Sequence, residues 1–224
     1  MIGGSRNLIS VKTNLLQINS LQRCQAIAGT PGEVVYMKVF DFDNTIYRGE
    51  SSVDFAFYMI KHNKKIIKYI PTILFSLIGY KLCLLKKEKL ESIINSFFSG
   101  ILDGTESPDD FVKPFWETHT EKLNNEMLQL ISPEDIIISA SPSDLIEGIS
   151  EMLNTKNIIG TELDVKQKRI TWFNFGDNKV KRYKELYGAR RIDAFYTDSY
   201  NDKAMMDISR RVYIVRKGVP KRIT

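Results

Sequence analysis

The hydrophobic pattern divides the chain into two kinds of region. From Ile136 onward, short apolar runs alternate with segments of helical periodicity. Such runs are typical of buried strands, and their alternation with helices predicts a parallel sheet with right-handed crossovers. Between Thr45 and Ile136 the pattern is largely helical. The predicted strands are 34–40, 136–138, 158–160, 192–196 and 212–215, the predicted helices include 54–62, 108–129, 143–153, 178–187 and 202–209, and a hairpin is predicted from 162–165 and 170–173.

This order of elements predicts an α/β fold, a three-layer Rossmann-like parallel sheet with an inserted α-helical cap. The helical stretch interrupts the alternation of strands and helices, which is why we interpret it as an insertion over the sheet edge. The predicted domains are a disordered extension over 1–33, an α/β core over 34–46 and 131–217, a cap over 47–130, and a basic tail over 218–224.

Composition adds little by itself, but the distribution of charge is informative. The 224 residues are 43% hydrophobic and 26% charged, an ordinary globular balance, and the net charge is +5. Residues 61–89 hold eight lysines and one acid, whereas residues 103–135 hold nine acids and two lysines. A basic face can meet anionic lipid, nucleic acid or a phosphorylated substrate, or can simply be solvated. Because no ribbon of aromatic and basic residues accompanies it, we expect no nucleic-acid partner.

The apolar stretch 66–85 allows two interpretations. Its charge-free part, 69–80, is twelve residues long, whereas a membrane-spanning helix needs about twenty. It is either a buried helix of the cap or a lysine-flanked surface that touches a membrane or a lipid-like substrate. The expected location is therefore the cytoplasm, with peripheral membrane contact as the sharper alternative.

The candidate chemistry lies where predicted strands end. Asp41 and Asp43 follow the first apolar run and can lie on the same side of the chain, since strand side chains alternate. Alone, this pair is also compatible with an acidic turn. Ser139 ends the second strand, Lys179 begins a helix, and residues 198–202 follow a further strand. Ligands of open α/β sheets bind at this edge, and phosphoryl transfer needs such carboxylate, hydroxyl and ammonium groups.

With these residues the chain resembles the haloacid dehalogenase superfamily of aspartyl-phosphate phosphatases, over about residues 34–217. Within it, the chain looks most like the subgroup of phosphoserine phosphatase and the phosphatidylglycerophosphatase C-like hydrolases. Four motifs carry the resemblance, and they stand in the order of the family: Asp41-Phe42-Asp43-Asn44-Thr45, Ser139-Ala140-Ser141-Pro142, Asp177-Asn178-Lys179-Val180 and Thr197-Asp198-Ser199-Tyr200-Asn201-Asp202.

The resemblance implies a role for each of these positions. Asp41 would attack phosphorus, and Asp43 would protonate the leaving alcohol and then activate water. Mg²⁺ would be held by the Asp41 carboxylate, the Asp43 backbone carbonyl and Asp198. The remaining implied roles are phosphate binding by Thr45, Ser139 and Lys179, support of the metal by Asn201 and Asp202, and substrate binding by Glu50.

Several positions have competitors. Ser141 competes with Ser139 for the phosphate, and Lys181 or Lys184 could replace Lys179, although both fall further into the helix. Asp202 could simply cap its helix. We expect Asp193 and Asp207 at the surface, and His62 and His119 in structural roles, because no metal-ligand spacing surrounds them.

Two departures from the family pattern bear on the substrate and the loop. Many relatives carry Gly at the position of Asn44. No arginine lies between Arg48 and Arg169, so the carboxylate-binding arginine in the cap of phosphoserine phosphatases has no match here, which disfavours phosphoserine.

The sequence thus predicts a Mg²⁺-dependent phosphomonoester hydrolase that forms an aspartyl-phosphate. The lysine-rich cap favours a lipid head-group phosphate resembling phosphatidylglycerophosphate. The alternatives are a small metabolite phosphate, such as phosphoserine or a sugar phosphate, and a non-catalytic binding module on the same fold.

Overall fold

Seven strands and a set of short helices make up the part of the chain that the structure describes. The computed structural model describes residues 37–62, 71, 89, 92, 93, 95, 96, 109–164, 167 and 169–224. The strands are β1 (Lys38–Asp41), β2 (Ile136–Pro142), β3 (Asn157–Asp164), β4 (Arg169–Trp172), β5 (Ile192–Thr197), β6 (Ser209–Arg216) and β7 (Val219–Arg222). The α-helices are α1 (Ser51–His62), α2 (Asp109–His119), α3 (Asn125–Leu128), α4 (Ser143–Glu147), α5 (Asp177–Tyr187) and α6 (Lys203–Asp207), and Thr120–Lys122 and Tyr200–Asp202 are 3₁₀ turns.

The strands form one mixed sheet in the order β4-β3-β2-β1-β5-β6-β7. The five inner strands are parallel, which confirms the predicted α/β architecture. The outer strands β4 and β7 run antiparallel to their neighbours. The predicted hairpin is present as β3 and β4, but the strands predicted separately over 158–160 and 162–165 are one continuous strand, β3. Because the inner strands are parallel, their carboxyl ends share one side of the sheet, which we call the carboxyl edge, and their starts share the opposite amino edge.

The central strand β1 is buried on both faces, as its apolar composition predicts. Val39 and Phe40 are fully buried and belong to different core clusters, one on each side of the sheet. Phe40 also stacks on Tyr196 of β5, and Tyr196 on Tyr213 of β6, each with ring centroids 4.6 Å apart. This ladder of aligned rings joins three neighbouring strands and fixes their register.

The helices of the predicted cap that the structure describes are anchored to the core. Phe55 of α1 packs edge-on against Phe115 of α2 at 5.2 Å. Trp116 of α2 donates its indole N–H to the carbonyl of Leu145 in α4 at 2.7 Å. The helix predicted over 108–129 is interrupted: the backbone of Leu123 is extended and bridges to Tyr47. This short bridge connects the residues that follow the first motif to the end of the helical insertion.

The basic tail predicted over 218–224 includes an edge strand of the sheet. Lys217 and Gly218 both have positive φ, +51° and +83°. Two such residues in succession form the tight turn that matches the twist of a β-hairpin. The chain therefore folds back and pairs β7 along β6.

The predicted N-terminal extension and part of the predicted cap lie outside the described residues. This applies to residues 1–33 and to most of 63–108, including the apolar stretch 66–85 apart from Pro71. Among the residues that the structure describes, no helix combines the length and apolar character needed to cross a membrane.

Candidate active site

Asp41 is the last residue of β1 and lies at the carboxyl edge, where it is 6% exposed. Its Oδ1 accepts a hydrogen bond from the ammonium of Lys179 at 2.8 Å. Oδ2 accepts none from the described residues. One carboxylate oxygen is thus held by a cation while the other is left for chemistry.

Lys179 is the buried cation of the site. It lies in the first turn of α5, and its Nζ is 2.8 Å from Asp41 and 2.9 Å from Asp202. Burial on its own would lower the pKa of Lys179, but the charges of Asp41 and Asp202 outweigh it and raise that pKa above 10.5. Lys179 therefore remains an ammonium. The competing Lys181 and Lys184 are exposed.

Asp202 and Asp198 belong to the loop that leaves β5. Asp202 is 7% exposed, and Thr197, the last residue of β5, donates its hydroxyl to Asp202 Oδ2 at 2.9 Å. Asp198 is half-buried, and burial followed by the charge of Asp202 raises its pKa above 3.8. Its carboxylate accepts no hydrogen bond from a side chain in the described part of the chain. Lys179, the Asp198 backbone N–H and Arg216 act in the opposite direction and offset the raised pKa of Asp198 only in part.

The site holds more negative than positive charge. Burial, then the charges of Asp202 and Asp43, raise the pKa of Asp41 well above 3.8, and Lys179 offsets this only in part. Lys179 is the buried ammonium that faces these carboxylates, and it is shared between two of them. The surplus of carboxylates is what a bound cation would neutralise.

Asp43 is held by three donors. The backbone N–H of Ser51 donates to Oδ1 at 2.6 Å. Ser141 and Ser139 donate their hydroxyls to Oδ2 at 2.7 and 3.2 Å. The structure therefore brings both competing serines of the second motif to the same carboxylate.

The loop after Asp41 turns at Asn44. Asn44 has φ +57°, a left-handed conformation for which Asn is the most suitable residue after Gly, so the departure from Gly keeps the turn. The Asn44 amide donates to Glu50 Oε1 at 3.0 Å. Thr45 is 2% exposed, and its hydroxyl is buried without a hydrogen-bond partner among the described residues. An orphaned buried hydroxyl in this loop is available to a ligand.

Other predicted residues lie at the margin of the site. Glu50 is exposed and precedes α1, and Asn201 is exposed in its 3₁₀ turn. Asp207 is exposed and paired with Lys203, as expected. The prediction that Asp193 lies at the surface is wrong, since it is 6% exposed. Its charge is neutralised at the amino edge by two arginines of β6.

Sequence reasoning missed three polar residues that organise the site. Thr197 orients Asp202, Ser51 contacts Asp43, and Asn174 donates its amide to the Ser139 carbonyl at 2.8 Å. Asn174 is fully buried between two phenylalanines in sequence, which is the one signal that could have identified it. The partners of Ser51 and Thr197 are long-range or loop contacts that no local pattern encodes.

The donor atoms at this edge are oxygens. Carboxylate and carbonyl oxygens suit Mg²⁺. Within the described residues, no three side chains of His, Cys, Asp or Glu are grouped so that they could hold a metal ion. The donor set implied by the family resemblance differs from such a group, since it has two carboxylates, Asp41 and Asp198, and one backbone carbonyl, that of Asp43. The surplus negative charge and the oxygen donors fit a divalent cation.

Comparison with known proteins identifies a family and a common fold. The family of haloacid dehalogenase-like hydrolases matches residues 39–207. A protein of unknown function from Bordetella pertussis Tohama I superposes with a TM-score of 0.67 at 15% identity, over 80% of this chain and 89% of that one. A phosphoserine phosphohydrolase-like protein from Francisella tularensis subsp. tularensis SCHU S4 has a TM-score of 0.55 at 16% identity, over 83% and 89%.

A third solved structure, a probable phosphoserine phosphatase from Vibrio cholerae, has a TM-score of 0.54 at 12% identity. The match covers 78% of this chain and 55% of that one. At these identities the likeness establishes a common fold. No curated protein matches the chain in sequence.

Proposed function

The chain belongs to the haloacid dehalogenase-like hydrolases, and from that premise we propose that it is a phosphatase that hydrolyses phosphomonoesters through an aspartyl-phosphate. One observation carries the proposal: Asp41 at the end of the central strand is paired with a buried lysine, and that lysine also binds Asp202. A carboxylate nucleophile, a fixed ammonium and further carboxylates at one sheet edge are the groups that phosphoryl transfer requires.

In the first step, Oδ2 of Asp41 attacks phosphorus, because Oδ1 is occupied by Lys179. The ester P–O bond breaks, and the leaving oxygen takes a proton from the Asp43 carboxyl. Lys179 stabilises the phosphoryl oxygens with the part of its ammonium that faces away from Asp41 and Asp202. General acid help of this kind typically contributes about 10²–10⁴-fold.

In the second step, water attacks the phosphorus of the aspartyl-phosphate. Asp43, now ionised, takes one proton from that water, and the bond between Asp41 and phosphorus breaks. Inorganic phosphate leaves, and both aspartates return to their starting states. Ser139 and Thr45 are the hydroxyls proposed to orient the phosphoryl group, and the unpartnered Thr45 hydroxyl supports this.

Asp41, Asp198 and the Asp43 carbonyl are the proposed ligands of Mg²⁺, with Asp202 and Asn201 in support. The ion would neutralise charge on the phosphoryl group as the anionic nucleophile approaches. The surplus of carboxylates around Lys179 supports this assignment.

For the substrate we propose a lipid head-group phosphate. The protein would then be cytoplasmic and in peripheral contact with the membrane that carries this lipid. The support is the eight lysines of residues 61–89 around an apolar stretch, together with the absence of an arginine between Arg48 and Arg169. A small metabolite phosphate is the competing substrate. Sedimentation with anionic vesicles tests the choice: binding that is lost when Lys61, Lys64, Lys65 and Lys68 become Ala supports the lipid, and no binding by the parent protein contradicts it.

The hydrolase proposal is tested by phosphate release from a panel of phosphomonoesters, with Mg²⁺ and with a chelator. Asp41→Asn is expected to reduce release to background, and Asp43→Asn by about 10²–10⁴-fold. Asp207→Asn, an exposed aspartate outside the site, is the matched control and should leave the rate unchanged. Parental activity in Asp41→Asn would show that Asp41 is not the nucleophile and would refute the mechanism.

A further inference from the structure

A closed ring of hydrogen bonds joins Asp43 to the first helix of the predicted cap. The Ser51 backbone N–H donates to Asp43 Oδ1 at 2.6 Å, and its hydroxyl donates to Ser141 Oγ at 3.0 Å. The Ser141 hydroxyl donates in turn to Asp43 Oδ2 at 2.7 Å. Ser51 is fully buried and Ser141 is 2% exposed. The ring thus links α1, the core strand β2 and the loop after β1.

The position of Ser51 explains why its N–H is available. The Glu50 carbonyl accepts the N–H of Asp54 at 3.0 Å, so Ser51 is the first residue inside α1. The first N–H groups of a helix have no acceptor within the helix. A carboxylate at that end is favoured both as an acceptor and by the helix dipole. Asp43, eight residues upstream, therefore acts as an external cap of α1.

Ser141, the other member of the ring, is itself held rigidly. Its N–H donates to Ser139 Oγ at 3.0 Å, and the preceding carbonyl, that of Ala140, accepts a hydrogen bond from Thr161 Oγ1 at 2.6 Å. β3 passes so close that a Cβ on Gly160 would lie 2.7 Å from the Ser141 carbonyl oxygen. The Ser141 hydroxyl is thus presented from a part of the core that has little room to move.

We propose that Ser51 and Ser141 are positioning residues for Asp43. The same hydrogen bonds fix the position of α1 on the core and the orientation of the Asp43 carboxylate. The inference rests on the proposed function, in which Asp43 transfers the protons. Two donors occupy Oδ2 and one occupies Oδ1, which leaves the free lone pair on Oδ1. Oδ1 is therefore the atom through which the proton passes.

The first test follows product formation from p-nitrophenyl phosphate with Mg²⁺ in the first turnover. Its leaving group needs little proton donation, so a misplaced Asp43 slows mainly the attack of water. Ser141→Ala is expected to lower the steady rate about 10–100-fold while an initial burst of about one p-nitrophenolate per enzyme remains, as expected when the second step limits turnover. A parental steady rate, or equal loss of burst and steady rate, would overturn the proposal.

A second pair of variants isolates the contribution of α1. Ser51→Ala removes the hydroxyl but keeps the N–H, whereas Ser51→Pro removes both at a helix position where proline is well tolerated. The expected order of steady rates is parent, then Ser51→Ala, then Ser51→Pro, with the burst retained throughout. Ser52→Ala and Ser143→Ala, neighbouring serines that do not contact Asp43, serve as controls at the parental rate. Equal rates for Ser51→Pro and the parent would contradict the role of the Ser51 N–H.

The third measurement does not depend on activity. The Tm is determined for the parent, Ser141→Ala, Asp43→Ala and the double variant. Ser141→Ala should lower Tm by about 2–4 °C, and in the Asp43→Ala background the same change should cost less than half as much. Additive shifts in Tm would show that Ser141 and Asp43 are not coupled and would overturn the proposal. A parent that hydrolyses no phosphomonoester but shows the coupling would refute the proposed function alone, so the two failures are distinguishable.

Discussion

The two edges of the sheet place buried aspartates beside cations in opposite ways. At the amino edge, Asp135 is fully buried just before β2, and Asp193 is 6% exposed at the start of β5. At the carboxyl edge, Asp41 is equally buried at the end of β1. The residue type and the depth of burial are the same, so the difference between the edges lies in what surrounds each carboxylate.

At the amino edge each carboxylate is matched by donors, and the pKa of Asp135 is raised by burial alone, against donors and a cation that lower it. Asp135 Oδ1 accepts the Lys38 backbone N–H at 2.8 Å and Oδ2 accepts the Ser132 N–H at 2.7 Å, with the Lys38 ammonium at 3.1 Å. Asp193 faces two arginines, Arg210 at 3.2 Å and Arg211. These contacts tie the starts of neighbouring strands together.

At the carboxyl edge one ammonium is shared between Asp41 and Asp202, and Asp43 and Asp198 add further charge. Such a surplus destabilises the fold, and proteins retain it where binding or catalysis uses the charge. Charge balance, and not burial, therefore distinguishes the aspartates of the amino edge from those of the proposed active site.

Removal of the shared ammonium should have the largest effect on stability. Lys179→Met leaves Asp41 and Asp202 buried without a cation, and we expect it to lower the free energy of unfolding by about 3–5 kcal/mol. Urea unfolding in the presence of a chelator measures this. Lys181→Met, exposed on the same helix, should stay within about 0.5 kcal/mol. Equal effects of the two variants would show that Lys179 does not compensate the cluster.

Asp135→Asn should have the next largest effect. An amide NH₂ must replace one of two carboxylate oxygens that accept backbone N–H groups, so a donor then faces a donor. We expect a loss of about 2–4 kcal/mol, measured by the same unfolding experiment. Glu134→Gln, the neighbouring acid, is the control. A neutral outcome for Asp135→Asn would break the contrast between the edges.

Asp193→Asn should cost less, because its partners are more accessible. The side chains of Arg210 and Arg211 are 55% and 36% exposed, so water compensates them when the charge is removed. The expected loss is about 1–2 kcal/mol, without loss of hydrolysis. A larger loss than in Asp135→Asn would contradict the ranking by exposure.

The same Asp→Asn substitution at the carboxyl edge should change the free energy of unfolding in the opposite direction. Asp41→Asn relieves the charge surplus while its amide oxygen can still accept from Lys179. We expect the metal-free variant to be more stable than the parent by up to about 1 kcal/mol and to be inactive. Destabilisation comparable to Asp135→Asn would show that Asp41 is a structural acid like those of the amino edge.

The smallest expected effect is a difference between the parent and Asp41→Asn in how stability depends on pH. Burial and neighbouring carboxylates raise the pKa of Asp41 above 3.8. As the pH rises from 3.8 towards the raised pKa, the unfolded chain releases this proton while the folded protein retains it, so the contribution to stability falls with rising pH. Asp41→Asn should flatten this decline in metal-free protein. Identical slopes in parent and variant would contradict the raised pKa.

Much of the fold was predictable because local patterns encode it. Strands β1, β2, β5 and β6 follow apolar runs, and α5 ends before Gly188 as the pattern indicates. The sequence did not reveal the break at Leu123 in the helix predicted over 108–129, because a backbone bridge to Tyr47 decides it. It also did not reveal β7, whose pairing depends on a two-residue turn.

The sequence alone determined the architecture and placed Asp41, Lys179 and residues 198–202 at one edge, because parallel strands end on the same side of a sheet. Only the tertiary structure decided which acids are balanced and which are not. It moved Asp193 from the expected surface to a buried ion pair, and it joined Ser51 to Asp43. Burial and pairing of charge depend on residues far apart in the chain, and no periodicity or spacing encodes those contacts.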